Sequence, residues 1–80
     1  MDLIKIGKYI AAKRKALGLT QKQLAEKLNM SDKSVSKWER GICLPDVTVY
    51  LELCKILGIS INEFLAGEDI IEENITRFNK

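Results

Sequence analysis

Five residues able to finish a helix punctuate this chain at short intervals: Gly18, Asn29, Gly41, Gly58 and Gly67. Each follows a stretch with helical apolar spacing. Each is of a residue type that enters the left-handed conformation in which helices commonly end. Start signals lie between the stops. Thr20-Gln21-Lys22-Gln23 and Ser60-Ile61-Asn62-Glu63 read as capping boxes, in which a hydroxyl and the side chain three positions on satisfy exposed backbone donors. Leu19 with Leu24, Met30 with Val35, and Ile59 with Phe64 stand at the spacing of hydrophobic staples. Ser31 starts one further helix and Asp46, after Pro45, another. The signals predict five helices, near 3–17, 21–28, 32–40, 47–57 and 61–66, and no strand pattern competes.

Connections this short force neighbouring helices to pack on one another, so the expected fold class is all-α, a compact five-helix domain. Ile6, Ile10 and Leu17 would face inward from the first helix, Leu24 and Leu28 from the second, Val35 and Trp38 from the third. Val47, Tyr50, Leu51, Cys54 and Leu57, widened by Leu53 and Ile56, make the fourth read as the central packing helix. The domain is bounded at 1–67. Residues 68–80 form an acidic tail in which Ile70, Ile71, Ile75 and Phe78 can line one face of a short helix. The other readings of that tail are a frayed terminus, a dimer contact, or the start of a linker to a missing domain.

Composition removes several classes of function. With no apolar run longer than four residues, no segment approaches the roughly 20 needed to span a bilayer, so membrane contact is not expected. Asp2 directly after Met1, and lysines in every early apolar stretch, do not make a secretory signal; the reading is a cytoplasmic chain. There is no His, and Cys43 and Cys54 stand alone, so neither a zinc site nor any other metal or cofactor is expected. Cys54 reads as a core residue and Cys43 as a loop thiol. No nucleophile has a neighbouring base and no glycine-rich phosphate loop is present, which argues against an enzyme.

Charge is distributed unevenly. Residues 1–44 hold ten Lys and Arg against four acids, a net +6, while residues 45–80 hold three against seven, a net −4. One half is therefore suited to a polyanion from which the other is kept away. Between the second and third helices lie only Asn29, Met30 and Ser31, too few for an antiparallel hairpin, so the two must cross steeply as a helix-turn-helix. Ala25 falls where they approach most closely. The outward strip of the third helix then carries Asp32, Lys33, Ser36, Lys37 and Arg40, of a width that a major groove admits.

Carried by Ile6-Gly7-Lys8-Tyr9-Ile10 and Arg14, Leu19 to Ala25, Ser31 to Val35, Lys37 to Gly41, Pro45-Asp46, Leu57 to Ser60 and Phe64-Leu65, the sequence resembles the Cro and phage-repressor helix-turn-helix family. That family is also called the xenobiotic-response-element family of bacterial transcription regulators. The resemblance implies base contacts from Asp32, Lys33, Ser36 and Lys37, and phosphate contacts from Gln21, Ser34 and Arg40. It further implies a pair between Arg14 and Glu39 that supports the recognition helix. The lysines suit guanine O6 and N7. Asp32 departs from the family's usual neutral residue, and serves either to accept from cytosine N4 or to stabilise the helix start. Asn29 replaces the family's preferred glycine.

The function implied is sequence-specific binding of double-stranded DNA as a transcriptional regulator, a repressor, in the form of a homodimer on a pseudo-palindrome with half-sites about 34 Å apart. The alternative is a protein-interaction module or antitoxin component that uses the same fold to hold a protein partner.

Overall fold

A computed structural model describes residues 1–70 as five helices with no strand among them: α1 (Leu3–Ala16), α2 (Gln21–Lys27), α3 (Asp32–Glu39), α4 (Val47–Leu57) and α5 (Ile61–Ala66). The helix sketched through Ile71, Ile75 and Phe78 lies outside the described residues. All five expected stops have positive φ, from 57° at Asn29 to 75° at Gly41. Both capping boxes form: Thr20 accepts from the Gln23 amide while Gln23 accepts from that of Thr20, and Ser60 with Glu63 does the same. Two caps differ from expectation. Ser31 stands at the start of α3 without capping it, its Oγ lying 3.4 Å from that of Ser34 instead. Asp2, not singled out from the sequence, caps α1 by accepting from the Lys5 amide at 3.0 Å.

Ile6, Ile10, Leu24, Val35, Leu53 and Phe64 are fully buried in one core, and Trp38, Cys54 and Ile59 join them. Each large side chain removed from water contributes about 1.5–3 kcal/mol, offset largely by the entropy of ordering the chain. The Tyr50 and Phe64 rings pack tilted with their centroids 5.1 Å apart, close to the edge-to-face geometry aromatic pairs favour.

The central helix is α1, not α4. It packs against α3, α4 and α5, whereas α4 meets only α1 and α5 among its substantial neighbours. The expected inward stripe of α4 is also rotated. Leu53, Cys54 and Leu57 are buried, but Val47 and Leu51 stand 72% and 65% exposed. Apolar residues surround most of this helix, so its period alone did not select the packed face. Leu17, assigned inward in α1, is the residue after the helix's last turn and is half exposed.

A glycine makes the central position of α1 possible. A Cβ on Gly7 would lie 2.5 Å from the Trp38 carbonyl oxygen and 2.7 Å from that of Glu39, both fixed backbone atoms. Glycine inside a helix costs about 1 kcal/mol relative to alanine. Here it lets the last turn of α3 rest directly on the α1 backbone, which sets the height at which α3 is held.

Candidate nucleic-acid interface

The turn between α2 and α3 is closed by the Met30 amide donating to the Ala25 carbonyl at 2.8 Å, with Asn29 left-handed at φ 57°. Ala25 is almost fully buried, and α2 packs against α3. Val35 and Trp38 point into the core from α3. At about 100° per residue, Asp32, Lys33, Ser36, Lys37 and Arg40 must then share the opposite face. Together with Gln21 from the start of α2 they line a shallow depression of about 320 Å³.

Six of the seven residues nominated for DNA contact are thus brought together. The seventh, Ser34, is half-buried and off the depression, with its hydroxyl turned to Ser31. The six are not equivalent. Arg40 folds back one turn, its Nε donating to the Ser36 carbonyl at 3.2 Å and to Ser36 Oγ at 3.1 Å. Gln21 Nε2 donates to Glu39 Oε1 at 3.0 Å. The side chains of Asp32, Lys33 and Lys37 make no hydrogen bond or ion pair to any described residue.

Behind the depression, Arg14 and Glu39 meet in a forked pair, Nε to Oε2 at 2.7 Å and Nη2 to Oε1 at 3.0 Å. Arg14 Nη1 also donates to the Leu19 carbonyl at 2.8 Å. The two side chains are only 9% and 7% exposed, and every buried side-chain polar atom among the described residues has a partner. The hydrogen bond that Arg14 donates to Glu39 holds its guanidinium protonated more firmly than usual, against the opposing cost of burial. The Glu39 carboxylate therefore ties the end of α3 to α1 and to the first residue of α2, and Arg14 extends the node to the loop before α2. Sequence reasoning missed the parts played by Gln21 and the Leu19 carbonyl in this node. A carbonyl belongs to every residue and leaves no compositional signal. Gly7, an interior glycine in an otherwise good helix, was a legible one.

A second polar cluster, also unforeseen, lies elsewhere on α1. Lys5 Nζ meets Glu68 at 2.7 Å, while Asp69 accepts from the Tyr9 hydroxyl at 2.7 Å and from Lys13 at 2.8 Å. Burial, then the bond to Asp69, raises the Tyr9 hydroxyl well above its ordinary ionisation range, so it remains a neutral donor. Cys54 is buried, which pushes its thiol up, and Cys43 is exposed. Among the described residues no cluster of three or more His, Cys, Asp or Glu is placed to hold a metal, and no helix is long and apolar enough to cross a membrane.

Two short helices packed on each other and joined by a turn with a left-handed Asn, with a polar depression on the second, define a helix-turn-helix unit. A family model described as Helix-turn-helix matches residues 10–64, and the chain belongs to that family, in its Cro and phage-repressor branch. The chain is similar to the HTH-type transcriptional regulator ImmR of Bacillus subtilis, 32% identical over 71 residues that make up 89% of this chain and 56% of ImmR. It is similar also to the HTH-type transcriptional regulator DicA of Escherichia coli, 41% identical over 64 residues, 80% of this chain and 47% of DicA. It therefore spans about half the length of these relatives. Among solved structures, the P22 c2 repressor protein in complex with synthetic operator 9T superimposes with a TM-score of 0.75 at 33% identity, covering 79% of this chain and 96% of that one.

Proposed function

We propose that this chain binds double-stranded DNA in a sequence-specific manner as a transcriptional regulator, a repressor, and acts as a homodimer on a pseudo-palindromic operator. The observation that carries the reading is the α3 depression, where two lysines without partners among the described residues stand one helical turn apart on a rigidly held helix. In this reading Asp32, Lys33, Ser36 and Lys37 meet base edges, and Gln21, Ser34 and Arg40 meet the phosphate backbone. Arg14 and Glu39 hold α3 at the correct height. The repressor bound to its operator supports it, and the regulators among the relatives agree in kind. The activity is binding without catalysis, cofactor or metal, in the cytoplasm where the DNA is. Residues 1–67 form the DNA-binding unit and residues 68–80 a segment appended to it.

A dimer follows from size: one short recognition helix makes few base contacts, and a two-fold axis doubles both the contact area and the site length. A second reading, a module that holds a protein partner, draws on the outward face of α4, where Val47 and Leu51 are exposed together. The test is a titration of the full chain with duplex DNA at several salt concentrations. The DNA reading expects log affinity to fall by about 0.9 per neutralised phosphate per decade of salt. Affinity that does not change with salt overturns it and favours the protein partner.

A further inference from the structure

We infer that the half-site read by α3 is built of G·C pairs, with guanines opposite Lys33 and Lys37 and a cytosine opposite Asp32; the inference rests on the DNA-binding reading above. The structure divides the lining of the depression into groups already committed and groups still free. Arg40 is folded onto Ser36 through its Nε, which leaves its terminal nitrogens to the phosphate contact proposed above. Gln21 spends one amide hydrogen on Glu39, and Glu39 cannot turn away without abandoning the buried Arg14. The lining side chains that make no hydrogen bond or ion pair at all to any described residue are two ammonium groups, Lys33 and Lys37, and one carboxylate, Asp32.

Each of these free groups is chemically one-sided. An ammonium only donates and a carboxylate only accepts. In the major groove, guanine presents two adjacent acceptors, N7 and O6. Adenine presents one acceptor beside an N6 donor, which faces an ammonium unfavourably, and thymine one acceptor beside a methyl group. Guanine is thus the base that two lysines fit best. For the carboxylate the argument inverts: cytosine offers its N4 donor with no acceptor alongside, whereas adenine pairs its donor with N7. Reading adenine well takes a free amide that donates and accepts together, and reading thymine takes an apolar group. No Asn and no apolar side chain lines the depression, and its one amide is anchored at the start of α2.

Spacing adds a pattern. Lys33 and Lys37 are four residues apart, about 6 Å along the helix at 1.5 Å per residue. That is roughly two base-pair steps of about 3.4 Å. Asp32 precedes Lys33 directly, so the cytosine belongs to the same G·C pair as the first guanine or to its neighbour. The carboxylate also repels phosphate, which weakens attachment to unrelated sequences and sharpens the contrast.

Selection of the full chain against randomised duplex DNA tests this, with D32N, K33A and K37A run beside the parent sequence and melting curves confirming that each is folded. Guanine should be enriched at two positions about two steps apart, each preferred about tenfold to a hundredfold. Each lysine variant should lose one of these preferences and keep the other. D32N should convert the cytosine position to adenine, because asparagine supplies the paired donor and acceptor that adenine needs. Enrichment of A·T pairs at the read positions, or a D32N that still selects cytosine, overturns the inference and leaves the DNA reading standing. Binding with no sequence preference also overturns it, and absence of binding overturns both.

Discussion

Two regions of α1 carry ion pairs of nearly the same length and very different consequence. Arg14 meets Glu39 at 2.7 Å with side chains 9% and 7% exposed. Lys5 meets Glu68 at 2.7 Å and Lys13 meets Asp69 at 2.8 Å, where the acids are 62% and 64% exposed. Distance therefore does not rank them; environment and the number of satisfied partners do. In the buried node the desolvation of two charges is offset by a forked geometry and by bonds to Gln21 and Leu19. At the exposed cluster water competes with every bond, so each pair contributes little. The buried node lies under α3, while the exposed cluster fastens Glu68 and Asp69 to another face of α1. Rigidity is concentrated behind the surface proposed to meet DNA.

The largest effect is expected from Glu39→Ala. It strands the Arg14 guanidinium in a buried position and should cost about 3–5 kcal/mol of unfolding free energy, read from a urea transition. DNA affinity should fall as well, measured at a temperature where the variant is still folded. A Glu39→Ala chain as stable as the parent would place the two regions on an equal footing. Gly7→Ala comes next. The added methyl meets two backbone carbonyls at 2.5 and 2.7 Å, contacts no rotamer change can relieve, and α1 and α3 must move apart. The expected loss is about 1–3 kcal/mol, despite the better helix propensity of alanine.

Replacing both partners separates the two functions of the node. Arg14→Met with Glu39→Leu removes the desolvation cost along with the attraction, and should recover most of the stability lost in Glu39→Ala, to within about 1 kcal/mol of the parent. DNA affinity should remain reduced, because Gln21 and the Leu19 carbonyl have lost the groups that anchored them. Full recovery of affinity by the double variant would show that the pair supplies stability alone.

The same contrast explains what was legible from the sequence. Helix ends were, because Gly, Asn and capping residues act within three or four positions of themselves, and their preference for a left-handed or extended backbone does not depend on distant contacts. The residues of the α3 depression were legible for a similar reason: once Val35 and Trp38 point inward, helical geometry alone decides what points outward. Arg14 with Glu39 came from resemblance, since nothing local joins residues 25 positions apart. Where several arrangements satisfy the local rules, sequence reasoning chose wrongly or not at all. The apolar circumference of α4 allowed more than one face to pack, and Val47 and Leu51 lost to Leu53 and Leu57. The bonds from Tyr9 to Asp69 and from Lys5 to Glu68 span 60 and 63 positions, and each residue alone reads as ordinary surface.

The smallest effect belongs to Asp69→Asn, and its dependence on conditions carries the information. Lys13 and then Tyr9 favour the ionised carboxyl, which holds Asp69 below its usual range; the amide ends of Ser60 and Ile70 do the same for Glu63. A carboxyl whose folded value is depressed adds stability above its unfolded value, about 3.9 for Asp, and loses that contribution as pH falls through the lower folded value. The melting difference between the parent and Asp69→Asn should accordingly be level near neutrality and close as the solution is acidified. Added salt should also shrink it at neutral pH, because the screening length falls from about 8 Å at physiological ionic strength to about 3 Å at 1 M. The Glu39→Ala deficit should persist in the same salt, since little solvent reaches that pair. If the Asp69→Asn difference survived 1 M salt unchanged, the exposed cluster would have to be held by packing rather than charge, and the distinction between the two regions of α1 would fail.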